Sequence, residues 1–442
     1  MTNIFGFEGY GSNTRGGYGL VGTDPVIVKV TNLDASGPGS LKEALESSGP
    51  RIIVFEVSGI INQQSYIYIS DPYVTVAGQT APSPGICLRG GLWIDTHDVI
   101  IQHIRVRAAK PIWIQCDWQD SIQIGESGYN PYNIVIDHCS VSWACDENAT
   151  TWYEGHDITW QWNIISEGFL DHSCGTLTSP DIYNTSVHHN YFAHNQVRTP
   201  FIRSYGNNEV INNVVYNWQD DACQCGAEYN AQYLHILGNY YKRGSGNAQN
   251  YGGISVWQSA NSGSRYYIHD NISPPYRTSN TQDDWDCVAC NDQCSKRSNT
   301  PLFTQNINPI AINDVFENVD MVLAKAGARL IDRDAELVDK RVINNFYNTT
   351  GSFISHQDEV GGFPNLAQNN QVLTTPINPH EDHGDGYTNL EHWLQDYADI
   401  VAGTNGTTPP PPPGTTPQWI PGVPNEYIVV GVGVLVLLLL LR

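Results

Sequence analysis

An all-β solenoid is the fold class that this 442-residue sequence predicts, and three observations predict it. Gly, Asn, Ser, Tyr and Trp are plentiful while charged residues make up 15 % of the chain, a β-rich and turn-rich composition. Short strand-like segments recur through the middle of the chain, each carrying a polar residue at a similar place. Two segments with helical spacing interrupt this pattern, one near the start and one after residue 313.

The recurring segments are DVIIQHIRV, NIVIDHCSV, DITWQWNII, TSVHHNYF, EVINNVVY, YLHILGNYY and YYIHDNIS. Their polar positions are His103, His138, Asn163, Asn190, Asn213, Asn239 and Asn271, separated by 23 to 35 residues. That step fits one coil of a solenoid plus loops of variable length. Strands in such a coil pair with those above and below, so like residues stack. An inward-turned asparagine then bonds to the turns on either side and satisfies buried polar groups.

Gly39–Leu45 (GSLKEAL) predicts a short helix that caps the N-terminal end of the coil and covers an open sheet edge. Asp314–Asn345 puts Val315, Val319, Val322, Leu323 and Ala326 on one face. It predicts a helical C-terminal segment that packs along the outside of the coil or closes its far end.

Forty-five acidic residues against 22 Lys and Arg give a net charge of −23, which excludes nucleic acid as a partner. An anionic substrate binds such a chain only where metal ions or clustered arginines reverse the local field. Of ten cysteines, Cys87, Cys116 and Cys139 sit within apolar strand patterns and read as buried thiols. Cys223, Cys225, Cys287, Cys290 and Cys294 read as disulfides closing long loops, or as a structural zinc site.

Met1–Ser12 has neither a basic start nor an apolar stretch, so no N-terminal export signal is expected. Residues 401–426 form a Thr/Pro/Gly-rich linker with five consecutive prolines, after a domain spanning 1–400. Residues 427–441 are continuously apolar, and 427–442 are expected to be a transmembrane anchor. Fifteen helical residues span roughly 22 Å, short of a hydrocarbon core of about 30 Å, so flanking residues or a thinned bilayer would complete the span. Arg442, with no Lys or Arg between it and Arg341, places the tail inside and the main domain on the extracellular face.

Between Pro111 and Tyr241 the only Lys or Arg side chains are Arg198 and Arg203, in VRTPFIR. Two arginines five residues apart in so acidic a stretch suit recognition of a carboxylate or phosphate, with structural pairing to nearby acids as the alternative. Asp120 and the pair Asp146–Glu147 each lie just outside a strand, about one coil apart. Stacked coils bring such carboxylates together as oxygen ligands for a hard cation; solvated turn acids are the alternative. HEDHGDGYTNLEHW suggests a calcium loop around Asp385, although His383 and His392 occupy two ligand positions.

From about Tyr18 to Trp393 the sequence resembles family 1 of the polysaccharide lyases, the pectate lyases. The segments that carry this are VTNLDASGPGSLKEALESSGPRIIVFEVSGII, VTVAGQTAPSPGICLRG, NIVIDHCSVSWACDE, HHNYFAHNQVRTP and VLAKAGARLIDRDAELVDKRV. The resemblance implies a right-handed parallel β-helix with a cleft along one sheet, and calcium-assisted β-elimination of polygalacturonate, an acidic polysaccharide. By the same resemblance Arg198 is the catalytic base, Arg203 steadies substrate, and Asp120 and Asp146 hold Ca2+ with Glu147 as a third ligand. Two positions depart from the family: Thr150 stands where a second carboxylate is usual, and His172 substitutes for a lysine. A pectin lyase acting on methyl esters, or a surface carbohydrate-binding protein without turnover, remain open as other readings, and the oligomeric state is left open.

Overall fold

The computed structural model describes residues 4–109, 119–170, 172–244, 252–305 and 307–403. Three strands per coil repeat as a right-handed parallel β-solenoid of about eight turns. The first sheet has eleven strands, from Val26–Val30 through Tyr132–Asp137 and Tyr183–His188 to Arg297–Ser298. The long strand Ile86–Ile94, paired along both halves with Gly59–Ile69, splits into two further ladders, because Cys87 pairs with Arg105 and Leu92 with Ile122. The second ladder continues through Ser140–Ser142, Ile164–Ser166 and Tyr191–Ala193. The third continues through Glu147–Thr151, Cys174–Thr178 and Phe201–Ile202.

Parallel in-register pairing turns one sequence position into a column. Ile53, Val76, Ile101, Ile136, Trp160, Val187, Val210, Ile236 and Ile268 stack in this way and all lie in the main apolar core. Burying each such side chain contributes about 1.5–3 kcal/mol, set against the conformational entropy of the long connections.

The asparagine ladder is present over five rungs. The backbone N–H of Asn163, Asn190, Asn213 and Asn239 each donates to Oδ1 of the next asparagine, at 2.8–3.0 Å. The preceding rung differs from the sequence expectation by one residue: Cys139, not His138, donates its N–H to Asn163 Oδ1 at 2.8 Å. His103 and His138 belong to a second column, with rings stacked on each other and on Trp162 and His189. These four residues have φ near +50°, the left-handed turn that ends each first-sheet strand.

Helix α1, Leu41–Glu46, buries Leu41, Ala44 and Leu45 in the core cluster beside Val30 and Phe55 at the first coil. Arg51 ties down its last turn by donating to the Ala44 and Leu45 carbonyls at 3.2 and 2.7 Å. The expected C-terminal helical segment is two helices, α2 (Val315–Lys325) and α3 (Leu337–Asn348), broken near Arg329 at φ 49°. Both pack on the outside of the coil, where Val319, Val322, Val342 and Phe346 cover Ile164, Tyr191 and Val214. Helix α4, Asn389–Val401, lays Leu390 and Leu394 against Ile52 and Val54.

The expected membrane helix is corrected. Among the described residues no helix is long and apolar enough to cross a membrane. The α-helices are 6 to 13 residues long, and each buries one face against the coil. Residues 427–442, on which that expectation fell, and most of the 401–426 linker lie outside the described residues.

The cysteines resolve differently from the zinc alternative. Cys290 and Cys294 form a disulfide, while Cys223, Cys225 and Cys287 are buried thiols. Cys87 and Cys139 are buried thiols, as their strand context predicts, and Cys116 lies outside the described residues.

Candidate active site

The candidate residues gather at the start of the third-ladder strands. Ala149 pairs with Ile122, so Glu147 stands over Asp120, and the Glu147 N–H donates to Asp120 Oδ1 at 2.9 Å. Glu147 in turn pairs with Cys174, and Cys174 bridges to Val197, next to Arg198. The Thr176 N–H donates to the Arg198 carbonyl at 2.6 Å, which fixes the last rung. Asp120, Glu147 and Cys174 therefore form one column on successive coils, and Arg198 stands one residue past Val197, the residue that bridges to Cys174.

These acids are not solvated turn residues. Asp120 is 4 % exposed and Glu147 1 %. Arg198 Nη1 donates to Glu147 Oε1, and Arg198 itself holds φ 60° at the end of its loop. Asp146, one residue before the column, pairs with His172 Nε2 at 3.0 Å. Arg203 pairs with Glu228 at 2.7 Å, and its guanidinium lies 5.1 Å from the Trp257 ring centre. Asp120, Asp146, Glu147, His172, Arg198 and Arg203 all line a single cleft of about 420 Å³. Six candidates separated by up to 83 positions in sequence thus share one wall.

The charges are strained towards accepting a cation. Burial, followed by the neighbouring Glu147 and Asp146 carboxylates, pushes Asp120 well above the usual carboxylate range. Burial pushes Glu147 up to about 8; the Arg198 guanidinium pulls it down but is outweighed, with Asp146 adding repulsion. For Arg198, burial disfavours the charge, but the Glu147 carboxylate overcomes this and raises its pKa. Three carboxylates with one guanidinium in contact are short of positive charge, and their oxygens suit a hard cation such as Ca2+.

Thr150 is fully buried in the coil, its hydroxyl donating to the Leu177 carbonyl at 3.4 Å, and contributes nothing to the cleft. The Asp385 loop is closed by its own bonds: Asp382 Oδ1 accepts from the Gly384 and Gly386 N–H groups, and Asp385 pairs with His392. Among the described residues, Asp385 joins no group of three or more close metal-ligand side chains.

Sequence reasoning missed the aromatic wall and Cys174. Trp93, Trp152 and Tyr153 line the same cleft. Tyr66 packs edge-on to Trp93 and accepts the Asp120 N–H at 2.6 Å. The 27-residue step from Asp120 to Glu147, repeated once more, arrives at Cys174, so the coil period itself carried that signal.

No protein-family model matches the chain. A probable pectate lyase C of Emericella nidulans is 32 % identical over 369 residues, covering 82 % of this chain and 80 % of the relative. Its namesake in Aspergillus fumigatus is 30 % identical over 421 residues, covering 88 % and 92 %. Among solved structures, a Bacillus pectate lyase in complex with trigalacturonate superposes with a TM-score of 0.52 at 16 % identity, over 74 % of this chain and all of that one. A Bacillus subtilis pectate lyase gives 0.50 at 15 % identity, over 73 % and 97 %. The solved structures match in fold, and the fungal relatives match in sequence along most of their length. On that similarity, carried by a parallel β-solenoid with its acidic cleft, the chain belongs to the pectate lyase family of polysaccharide lyases.

Proposed function

We propose that this chain cleaves polygalacturonate by calcium-dependent β-elimination, giving 4,5-unsaturated oligogalacturonides. The observation that carries the reading is the stack of Asp120 and Glu147 with the Arg198 side chain on Glu147, which sets buried carboxylates against a guanidinium on the wall of an open cleft. In β-elimination a base takes the proton at C5, next to the uronate carboxylate. The C4–O bond then breaks with formation of a C4–C5 double bond, and the glycosidic oxygen leaves with a proton.

Asp120, Asp146 and Glu147 would hold Ca2+. When bound, the ion supplies a Lewis acid that draws charge from the uronate carboxylate and makes the C5 proton more acidic. Arg203, braced by Glu228 and Trp257, is positioned to steady a second uronate carboxylate. Arg198 is the base. With Glu147 beside it the guanidinium is held in its charged form. Glu147, if engaged with a bound cation, would no longer favour that charge. Proton removal needs the neutral form of Arg198, so the rate rises towards alkaline pH.

The test is ultraviolet absorbance of unsaturated product from polygalacturonate, with calcium, with chelator, and with Arg198→Ala. The expected outcome is a calcium-dependent rise that Arg198→Ala lowers roughly 100- to 10 000-fold, the usual worth of a general base. Undiminished turnover in the variant would remove Arg198 from this role. Undiminished turnover in chelator would remove calcium.

A further inference from the structure

The cleft wall and the rung beneath it hold donors that an oxygen-only calcium site does not use. One carboxylate oxygen each from Asp146 and Glu147, one ring nitrogen of His172 and Sγ of Cys174 all lie within 4.8 Å of one another. The His172 side chain is 46 % exposed and reaches the group from the solvent side. Cys174 closes it from within: its residue is 1 % exposed and it is a free thiol. The thiols of Cys139, Cys225 and Cys287 give hydrogen bonds to backbone carbonyls. Among the described residues Cys174 Sγ has no such partner, so a buried polar atom faces three ligand side chains without satisfaction.

We infer that Asp146, Glu147, His172 and Cys174 form a four-donor site for a borderline divalent transition metal of the Zn2+ or Co2+ class. Calcium takes six to eight oxygens and gains nothing from sulfur or imidazole. Zinc and cobalt take thiolate, imidazole and carboxylate together in tetrahedral sites. Tetrahedral bonds of about 2.0–2.3 Å set donor separations near 3.5 Å, so the four atoms close in by roughly 1 Å on binding. The half-exposed His172 and the Asp146 side chain have the freedom to do this. On binding, the metal–sulfur bond replaces the S–H bond, the proton passes to solvent, and no electrons are transferred.

The site shares Asp146 and Glu147 with the carboxylates assigned to calcium. A borderline metal therefore competes with calcium and draws Glu147 away from Arg198. Its binding stands apart from turnover, since the donors and the optical readout involve no substrate.

The test titrates the metal-free 442-residue chain with Co2+ and records its absorption spectrum without substrate. The expected result is intense visible bands of tetrahedral cobalt and a near-ultraviolet sulfur-to-cobalt charge-transfer band, saturating at one ion per chain. Zn2+ abolishes both features at stoichiometric amounts, while Ca2+, which shares only two of the four donors, does so only in large excess. Cys174→Ser loses the charge-transfer band and keeps weaker visible bands, and His172→Ala binds cobalt more weakly. A pale octahedral spectrum without charge transfer from the folded wild-type chain would overturn the inference, whatever the variants do. A charge-transfer band of full strength in Cys174→Ser would also overturn it, by assigning the thiolate to another cysteine.

Discussion

Replacing Asn190 by alanine tests whether the ladder is a structural spine. Asn190 is fully buried, and its Oδ1 accepts from the Asn163 N–H and from Asn163 Nδ2, both at 2.9 Å. Its Nδ2 donates to the Trp160 and His188 carbonyls at 2.8 and 3.0 Å, and to Asn213 Oδ1 at 3.1 Å. Truncation spreads its damage unevenly. Asn213 Oδ1 keeps the Asn190 N–H, Asn163 Nδ2 keeps the Ile136 carbonyl, and His188 keeps a bond from the Trp162 N–H. The Asn163 N–H loses its acceptor in a sealed interior. The orphaned buried donor costs about 1–3 kcal/mol, and the four side-chain bonds lost beside it about 1 kcal/mol each net, so the variant should lose roughly 5–7 kcal/mol. Equilibrium urea unfolding followed by tryptophan fluorescence measures this, with Asn344→Ala on the exposed face of α3 as a control. A shift below about 1 kcal/mol at unchanged slope would refute the reasoning, and the interior would then tolerate an unpaired N–H or admit water.

Two further outcomes rest on buried charge. Burial pushes Glu209 up to about 7 from its ordinary 4.5, so in this window the folded chain holds a proton that the unfolded chain has lost. Stability therefore falls as pH rises from about 4.5 through 7, by roughly 3 kcal/mol from this group, and Glu209→Gln removes that slope in denaturation at pH 5 and pH 8. Arg107 is fully buried and pairs with Glu336 at 3.0 Å and Asp339 at 2.9 Å, joining the second ladder to α3. Arg107→Ala leaves two carboxylates buried without their cation and should cost about 3–5 kcal/mol, read from the urea midpoint. A loss no larger than an ordinary surface substitution would show that α3 is held by its apolar face alone.

The cleft residues were legible in different degrees. Arg198 and Arg203 stood out because basic side chains are so scarce around them, and both line the cleft. Asp120 and Glu147 were legible as a pair one coil apart, but not as buried groups. Their burial follows from their place in the column, where the Glu147 N–H binds Asp120 and Cys174 covers the next rung. His172 was singled out as a stand-in for a lysine, and only the fold shows it paired with Asp146. Trp93, in a strand four coils before Arg198, carries no local sign that it faces the same cleft.

Sequence alone determined that the chain coils, because stacked asparagines and apolar positions recur at the step of a coil whatever the loops between them. It also located the short helix at the first coil and the helical stretch that begins after Asp314, since that cap and apolar positions such as Val315, Val319 and Val322 are local signals, while helix α4 was not read from the sequence. Register was decided by the tertiary structure. His138 lies one residue before the position that Asn163 occupies in the next coil, and in a strand a shift of one residue turns a side chain to the opposite face. The Arg198–Glu147 pair, the Cys174 thiol among three ligand side chains and the lodging of α2 and α3 on the outer wall likewise required the fold. Each depends on which residues, tens of positions apart, share a rung, and that is settled by the packing of whole coils rather than by any one segment.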